Sequence, residues 1–325
     1  MSTSLQRDFF AKHPEIMFLG CGRPDTEHGW VNDQLATLCE VGIRYEKVLS
    51  YDRSSAKKMI KEHMKEFSND AAKKILCLSS ESFSFTMHFD VDVTIKAQRL
   101  KHLMGDNTKV LIVIRNQLDL FRSYYFECVR GGYPGQFDEF LDFNYHYLFH
   151  SILSDLNYYD LYMLYCKHFG KENVKILPME SIINDADKSL SELSMFAGIS
   201  DLGLKLERHN DSSDKKYLQA VRLLNEKFPN NRGNSYFGWV DGEKLRTYWR
   251  DKLLMPESPE ADKNYTTRMM VYRSAQSVVK DFVGNIDGKY PVYWQHRLTN
   301  LFGAGNEKLS REIDIDLSAI GYPSI

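Results

Sequence analysis

The sequence predicts an α/β protein with a central parallel sheet of about five strands, flanked by helices and followed by a largely helical C-terminal half. Three observations predict it. Short apolar runs at 16–21, 74–78 and 110–114 alternate with helical patterns, the order expected of a sheet built from βαβ units. The run 110–114, VLIVI, is apolar throughout rather than alternating, which suits a strand covered on both faces. Beyond about residue 180 the strand signal fades and helical periodicity takes over.

The elements follow in order. The first strand, 16–21, runs into FLGCGRPDTEHGW, where Gly20 and Gly22 suit a strand-end turn and Asp25 or Thr26 can cap the next helix. A weaker strand is expected at 44–49 and a charged helix at 54–68. The second strong strand, 74–78, leads into Ser-Ser-Glu-Ser, and a helix spans 91–104. The strand 110–114 breaks at Arg115-Asn116 and passes into a helix from near Leu118 that carries Ser123 and Arg130. A long tyrosine-rich helix is predicted over 151–169, with Tyr145, Tyr147, Phe149, Tyr158, Tyr159, Tyr162 and Tyr165 around it, and a fifth strand at 174–177. An amphipathic helix over 185–197 ends at Gly198, and Asp211 or Ser212 caps a helix running to Phe228. Residues 229–239, PNNRGNSYFGW, form the best irregular loop, 255–262 a surface linker, and Asp287-Gly288 a further break. We read 1–325 as one domain, with the sheet within about 14–180 and a helical part over about 181–325. A separate helical subdomain is the alternative.

Composition narrows the function. The 325 residues, 43% of them apolar, supply a sizeable core. A formal charge of −2 excludes a protein that coats a polyanion, so no nucleic-acid partner is expected and any anion site is local. Five scattered cysteines, Cys21, Cys39, Cys77, Cys128 and Cys166, suit thiols in a reducing compartment. Their spacing offers no zinc set. No run approaches the ~20 apolar residues of a membrane span, and the expected location is cytoplasmic.

Parallel sheets bind ligands beyond the carboxyl ends of their strands. Arg115 stands at such an end, and Ser123 lies eight residues later, about two helical turns on. A guanidinium and a hydroxyl converging there make an oxyanion clamp, because arginine donates in a planar fork that matches phosphate. A strand-end arginine paired to a surface carboxylate is the competing reading.

The strand-end Arg115, Ser123 and the Arg130-Gly131 pair resemble the 3'-phosphate-binding segment of sulfotransferases that use 3'-phosphoadenosine 5'-phosphosulfate (PAPS). The resemblance continues in the family's order. Residues 75–83, ILCLSSESF, are similar to the strand and turn that precede this segment in bacterial members. Residues 162–181 resemble the family's helix, Phe-Gly turn, strand and following glutamate, and weaker likenesses run through 193–199, 207–228 and the tail 306–323. The resemblance implies a P-loop-like sheet and a transferase, with PAPS as donor substrate, PAP as product and no metal. Arg115 and Ser123 then hold the 3'-phosphate, joined by Arg130 and by the loop residues Arg232 and Gly233. It also implies that Glu81 acts as general base, with His28 and His88 as second choices because imidazole titrates near neutral pH. A helix-capping or ion-paired Glu81, and an Arg130 that serves only the helix dipole, are the bland alternatives.

The chain departs from the family at its first loop. A lysine is expected after the first strand, where amides and a cation cradle the 5'-phosphosulfate. Here Gly22, Arg23 and Thr26 stand in that loop, with Arg23 the nearest cation and Asp25 and Glu27 beside it. Losing a cation at the leaving phosphate costs on the order of 10² to 10³ in rate if nothing replaces it. A protein that keeps the nucleotide pocket and has lost transfer is therefore the second reading. A P-loop kinase requires G-x-x-x-x-G-K-[ST], which the chain lacks. The acceptor, a small molecule or glycan or a lipid headgroup, is not specified by sequence, nor is the oligomeric state.

Overall fold

Two parallel strand pairs carry the fold in a computed structural model that describes residues 2–21, 29–86, 90–130, 132–207, 209, 215–227, 275 and 285–325. Strand β1 (Ile16–Phe18) pairs with β2 (Ile75–Cys77), and β3 (Val110–Ile114) pairs with β4 (Val174–Pro178). The fold is mixed α/β with parallel pairing, as expected. The described residues contain two two-stranded sheets, not the single sheet of about five strands that the sequence suggested. Residues 44–49 form no strand. A π-helix, Leu38–Ile43, ends there, and Arg44 is 2% exposed while Val48 and Leu49 face solvent. The apolar pattern misled because it is the arginine that is buried at this point.

The chain divides into two units, 1–116 with 155–211 and 302–325, and 117–154 with 212–301. In the first unit, residues of all four strands meet one apolar cluster. Ile16 and Leu177 lie at its centre with Leu5 and Phe9 of the N-terminal π-helix and Leu190 and Leu193 of the helix Ala186–Ala197. Leu111 and Val113 of β3 pack on that cluster, while Ile112 and Ile114 are buried on the other face. An apolar side chain at every position of β3 is what a doubly covered strand needs.

The helices Arg53–Asn69 and Val93–Met104 form where acids stand ready to cap them. Asp52 accepts from the amides of Ser54 and Ser55, and Asp92 from that of Thr94. Gly198 closes the helix Ala186–Ala197 with φ +79°, a conformation glycine adopts without penalty. The predicted long helix over 151–169 is instead a short helix, Ile152–Asp155, and a second one, Tyr158–Phe169. The break falls where side chains compete for the backbone: the Ser151 hydroxyl donates to the Asn144 carbonyl, and Asp155 accepts from the Thr86 amide. Its tyrosines divide accordingly, with Tyr158, Tyr162 and Tyr165 buried and Tyr147 and Phe149 exposed.

The second unit is built on aromatic packing. The helix Gln117–Arg130 sets Phe121 and Tyr125 against Phe140 of the helix Phe137–His146, with ring centroids 5.1 and 5.3 Å apart. Asn225, on the helix Lys215–Lys227, donates to the Val129 carbonyl at 2.8 Å. All five cysteines are free thiols. Among the described residues, no helix is long and apolar enough to cross a membrane.

Candidate active site

Two turns at strand ends of the first unit carry the candidate side chains, and each is pinned by residues distant in sequence. The first follows β2. Ser80 caps a short 3-10 helix, Glu81–Phe83, by accepting from the Ser82 amide, and this leaves the Glu81 side chain exposed. Lys96 reaches the turn from the helix Val93–Met104. Its ammonium donates to the carbonyls of Ser82 and Phe85 at 2.9 and 2.8 Å and to Asp90 at 2.7 Å. The Tyr165 hydroxyl donates to the Phe83 carbonyl at 2.8 Å, and Asp155 accepts from the Thr86 amide.

Lys96 belongs to a buried charge network. Asp90 is shared between Lys96 and the Arg44 Nε, which donates at 2.9 Å, and Arg44 in turn faces Glu40 at 3.6 Å. Trp30 Nε1 donates to the second Glu40 oxygen at 3.1 Å. Burial lowers the Lys96 pKa and raises that of Glu40, opposed in both cases by the neighbouring opposite charge. Two cations and two carboxylates thus balance one another among buried side chains.

The Glu81 turn also lies within electrostatic reach of the exit of β1. Burial pushes the Cys21 thiol up to about 11, Glu81 and Glu40 add to the shift, and Arg7 offsets it. Glu81 and Arg7 are therefore both electrostatic neighbours of the residue that opens the first loop. The loop closes on itself at its base. The Val31 amide donates to the Leu19 carbonyl, and Gly20, at φ +91°, lies so close to Gly29 that a Cβ there would stand 2.0 Å from the Gly29 carbonyl oxygen. Only glycine fits such an approach.

The second turn follows β3. The ladder ends where Ile114 faces Pro178, a residue with no amide hydrogen to give. The next polar groups find other partners. The Tyr158 hydroxyl donates to the Arg115 carbonyl at 2.7 Å, and the Asn116 amide donates to Glu180 Oε1 at 2.9 Å. Tyr322 donates to Glu180 Oε2 at 2.7 Å, and the Asn116 side chain donates to the Gly321 carbonyl. The half-buried Arg115 guanidinium acts on the phenols of Tyr158 and Tyr322, partly offsetting the rise that burial causes in both.

One helix serves both turns. Tyr158 and Tyr165 are seven residues apart on Tyr158–Phe169, so they share a face about 10 Å apart along the axis. Tyr158 holds the Arg115 turn and Tyr165 the Glu81 turn.

Of the sequence-predicted site residues, the first unit thus contains Glu81 and Arg115. Ser123 and Arg130 lie in the second unit on the helix Gln117–Arg130, and their seven-residue spacing puts them on one face of it. Arg130 is ion-paired with Glu127 on the same helix. Gly22, Arg23, Thr26, His28, His88, Arg232 and Gly233 fall outside the described residues, as do Gly131, the acids Asp25 and Glu27, the loop 229–239 and the caps Asp211 and Ser212. Sequence reading missed Lys96 and Tyr322; it noted Tyr158 and Tyr165 as part of an aromatic cluster and the glutamate at 180 as part of a family-like segment, without giving any of them a role in holding a turn. It also missed Asp8, Glu207 and His209, which gather within 4.8 Å. Both Asp8 oxygens are already engaged there, one by Lys12 and the other by the Glu207 amide and His209.

Comparison with known proteins bears on this arrangement. Residues 94–238 match the family of sulfotransferase domains, a span that includes β3, the Arg115 turn and the helix of Ser123. The fold is similar to that of a sulfotransferase from Alicyclobacillus acidocaldarius, with a TM-score of 0.52 and 17% identity over 98% of this chain and 93% of that one. No curated protein sequence matches the chain. The domain match thus covers β3 and its helix, and the likeness along the rest of the chain is one of fold.

Proposed function

We propose that the protein transfers a sulfuryl group from PAPS to a hydroxyl or amine of a small-molecule, glycan or lipid-headgroup acceptor. The observation that carries this reading is the strand-turn-helix around Arg115, which lies within the residues matching the sulfotransferase domain. In the proposed complex Arg115 and Ser123 bind the 3'-phosphate, with Arg130, Arg232 and Gly233 as further contacts. Gly22, Arg23 and Thr26 bind the 5'-phosphosulfate.

The chemistry requires in-line attack and donors aimed at the leaving phosphate. The acceptor oxygen forms a bond to sulfur as the bond from sulfur to the bridging phosphate oxygen breaks. Its proton passes to Glu81, and PAP departs with the electron pair. Glu81 suits this role because its carboxylate is exposed on a turn whose backbone is fixed by Lys96 and Tyr165. His28 is the second candidate base. No metal is required by this route.

A panel of acceptors incubated with PAPS and read by mass spectrometry tests the proposal. Glu81→Gln should reduce turnover about 10²-fold or more while leaving PAP affinity unchanged. Full activity in that variant removes Glu81 from the mechanism.

The first loop favours a second reading, a PAP(S)-binding protein impaired in transfer, because Arg23 replaces the family's lysine and two acids flank it. Arg23→Lys separates the two. Undiminished PAP binding with no gain in turnover supports the impaired protein, whereas a gain supports a working transferase limited by its loop.

A further inference from the structure

We infer that Tyr322 and Glu180 act as positioning residues, forming a strap that holds the Arg115–Asn116 turn in the shape that receives a 3'-phosphate. The inference rests on the nucleotide reading of Arg115 given above. Its physical basis is the end of the β3–β4 ladder at Pro178, after which the polar groups of the turn bond to Tyr158, Glu180 and the Gly321 carbonyl. An arginine on a loose turn loses backbone and side-chain freedom when it binds, and that loss subtracts from affinity. A turn fixed beforehand avoids most of it.

The strap is built for this. Glu180 receives the Asn116 amide on one oxygen and the Tyr322 hydroxyl on the other, so a single carboxylate joins the turn to the tail. The Asn116 side chain makes a second link, to the Gly321 carbonyl. The tail is itself anchored. Asn306, 2% exposed, donates to the Pro323 carbonyl at 2.8 Å, and the Tyr322 amide donates to the Leu317 carbonyl at 3.0 Å. Tyr322 is 3% exposed, and burial keeps its phenol protonated, so the hydroxyl remains a donor across the physiological range. None of these groups needs to touch the nucleotide. They act through the backbone of residues 115 and 116.

The test compares PAP with AMP, which lacks the 3'-phosphate, in wild type and Tyr322→Phe, alongside hydrogen exchange at the Asn116 amide. General loss of stability weakens both ligands alike, whereas a misplaced Arg115 weakens PAP selectively. Tyr322→Phe should lower the PAP-to-AMP affinity ratio about tenfold and speed exchange at Asn116. Glu180→Gln, which keeps an acceptor for that amide, should fall between the two. A wild-type ratio in Tyr322→Phe overturns the strap's role in binding, and unchanged Asn116 exchange overturns the strap itself. A wild type that does not select PAP over AMP overturns the nucleotide reading and the inference that rests on it.

Discussion

The turn after β2 and the turn after β3 are both held from a distance, but by different physics. Glu81 rides on a turn whose carbonyls bind the ammonium of Lys96, a cation with no exposed surface inside a network of four charges. Arg115 rides on a turn held by two phenols and one carboxylate. A buried charge network loses heavily when one member is removed, because the partner is left without compensation. A link through neutral hydroxyls loses mainly hydrogen bonds. The candidate base is thus positioned by an all-or-none device and the candidate phosphate clamp by a graded one.

Substitutions at the two turns sharpen that contrast, beginning with the largest effect. Lys96→Met removes the ammonium, leaves Asp90 and Glu40 to be balanced by Arg44 alone and two carbonyls without their donor, and should cost about 3–5 kcal/mol in urea unfolding. A loss below about 1 kcal/mol would mean the network is not the device described. Glu180→Ala leaves the Asn116 amide and Tyr322 hydroxyl without their acceptor and should cost about 2–3 kcal/mol. If it matches Lys96→Met, the two turns do not differ as argued.

Asp155 adds a pH signature to the Glu81 turn. Burial raises its pKa from 3.8 to about 6, against the pull of the Thr86 hydrogen bonds and of Lys96. The folded protein therefore holds this proton more tightly than the unfolded chain does. The contribution is full below pH 3.8 and is lost as pH rises to about 6. Relative to Asp155→Asn, wild type should lose about 2 kcal/mol of stability between pH 4 and pH 7. A difference independent of pH removes the titration from the account. The smallest effect is expected for Ser80→Ala, about 1 kcal/mol, through loss of the cap on the Glu81 turn.

The parts of the fold legible in the sequence are those whose local pattern agrees with their burial. Residues 110–114 were readable as a strand because every side chain is apolar and both faces are covered. Gly198 marked the end of the amphipathic helix over 185–197 for a stereochemical reason that needs no tertiary context. Residues 44–49 misled because a buried Arg44, neutralised by Asp90 and Glu40, reverses the usual relation between polarity and exposure. The split at 151–169 was hidden because Asp155 binds a backbone amide 69 residues away in the chain.

The candidate site divides in the same way. Arg115 could be named because it follows directly on β3, where parallel sheets place ligands, and Glu81 because it stands in the turn after β2 within a family-like segment. The residues that hold them could not. Lys96 reads as one lysine of a helix, and Glu180 and Tyr322 meet across 142 residues. For Glu180 and Tyr322 the sequence signal was position within segments whose order resembled the family; Lys96 stood outside those segments.

The most direct test of the central claim is a calorimetric titration of the purified protein and its Arg115→Ala variant with PAP, using AMP as the control. Wild type should bind PAP selectively, and the variant should lose about 100-fold in PAP affinity, the scale of a charge-assisted phosphate contact. An Arg115→Ala protein that binds PAP as tightly as wild type would contradict the claim.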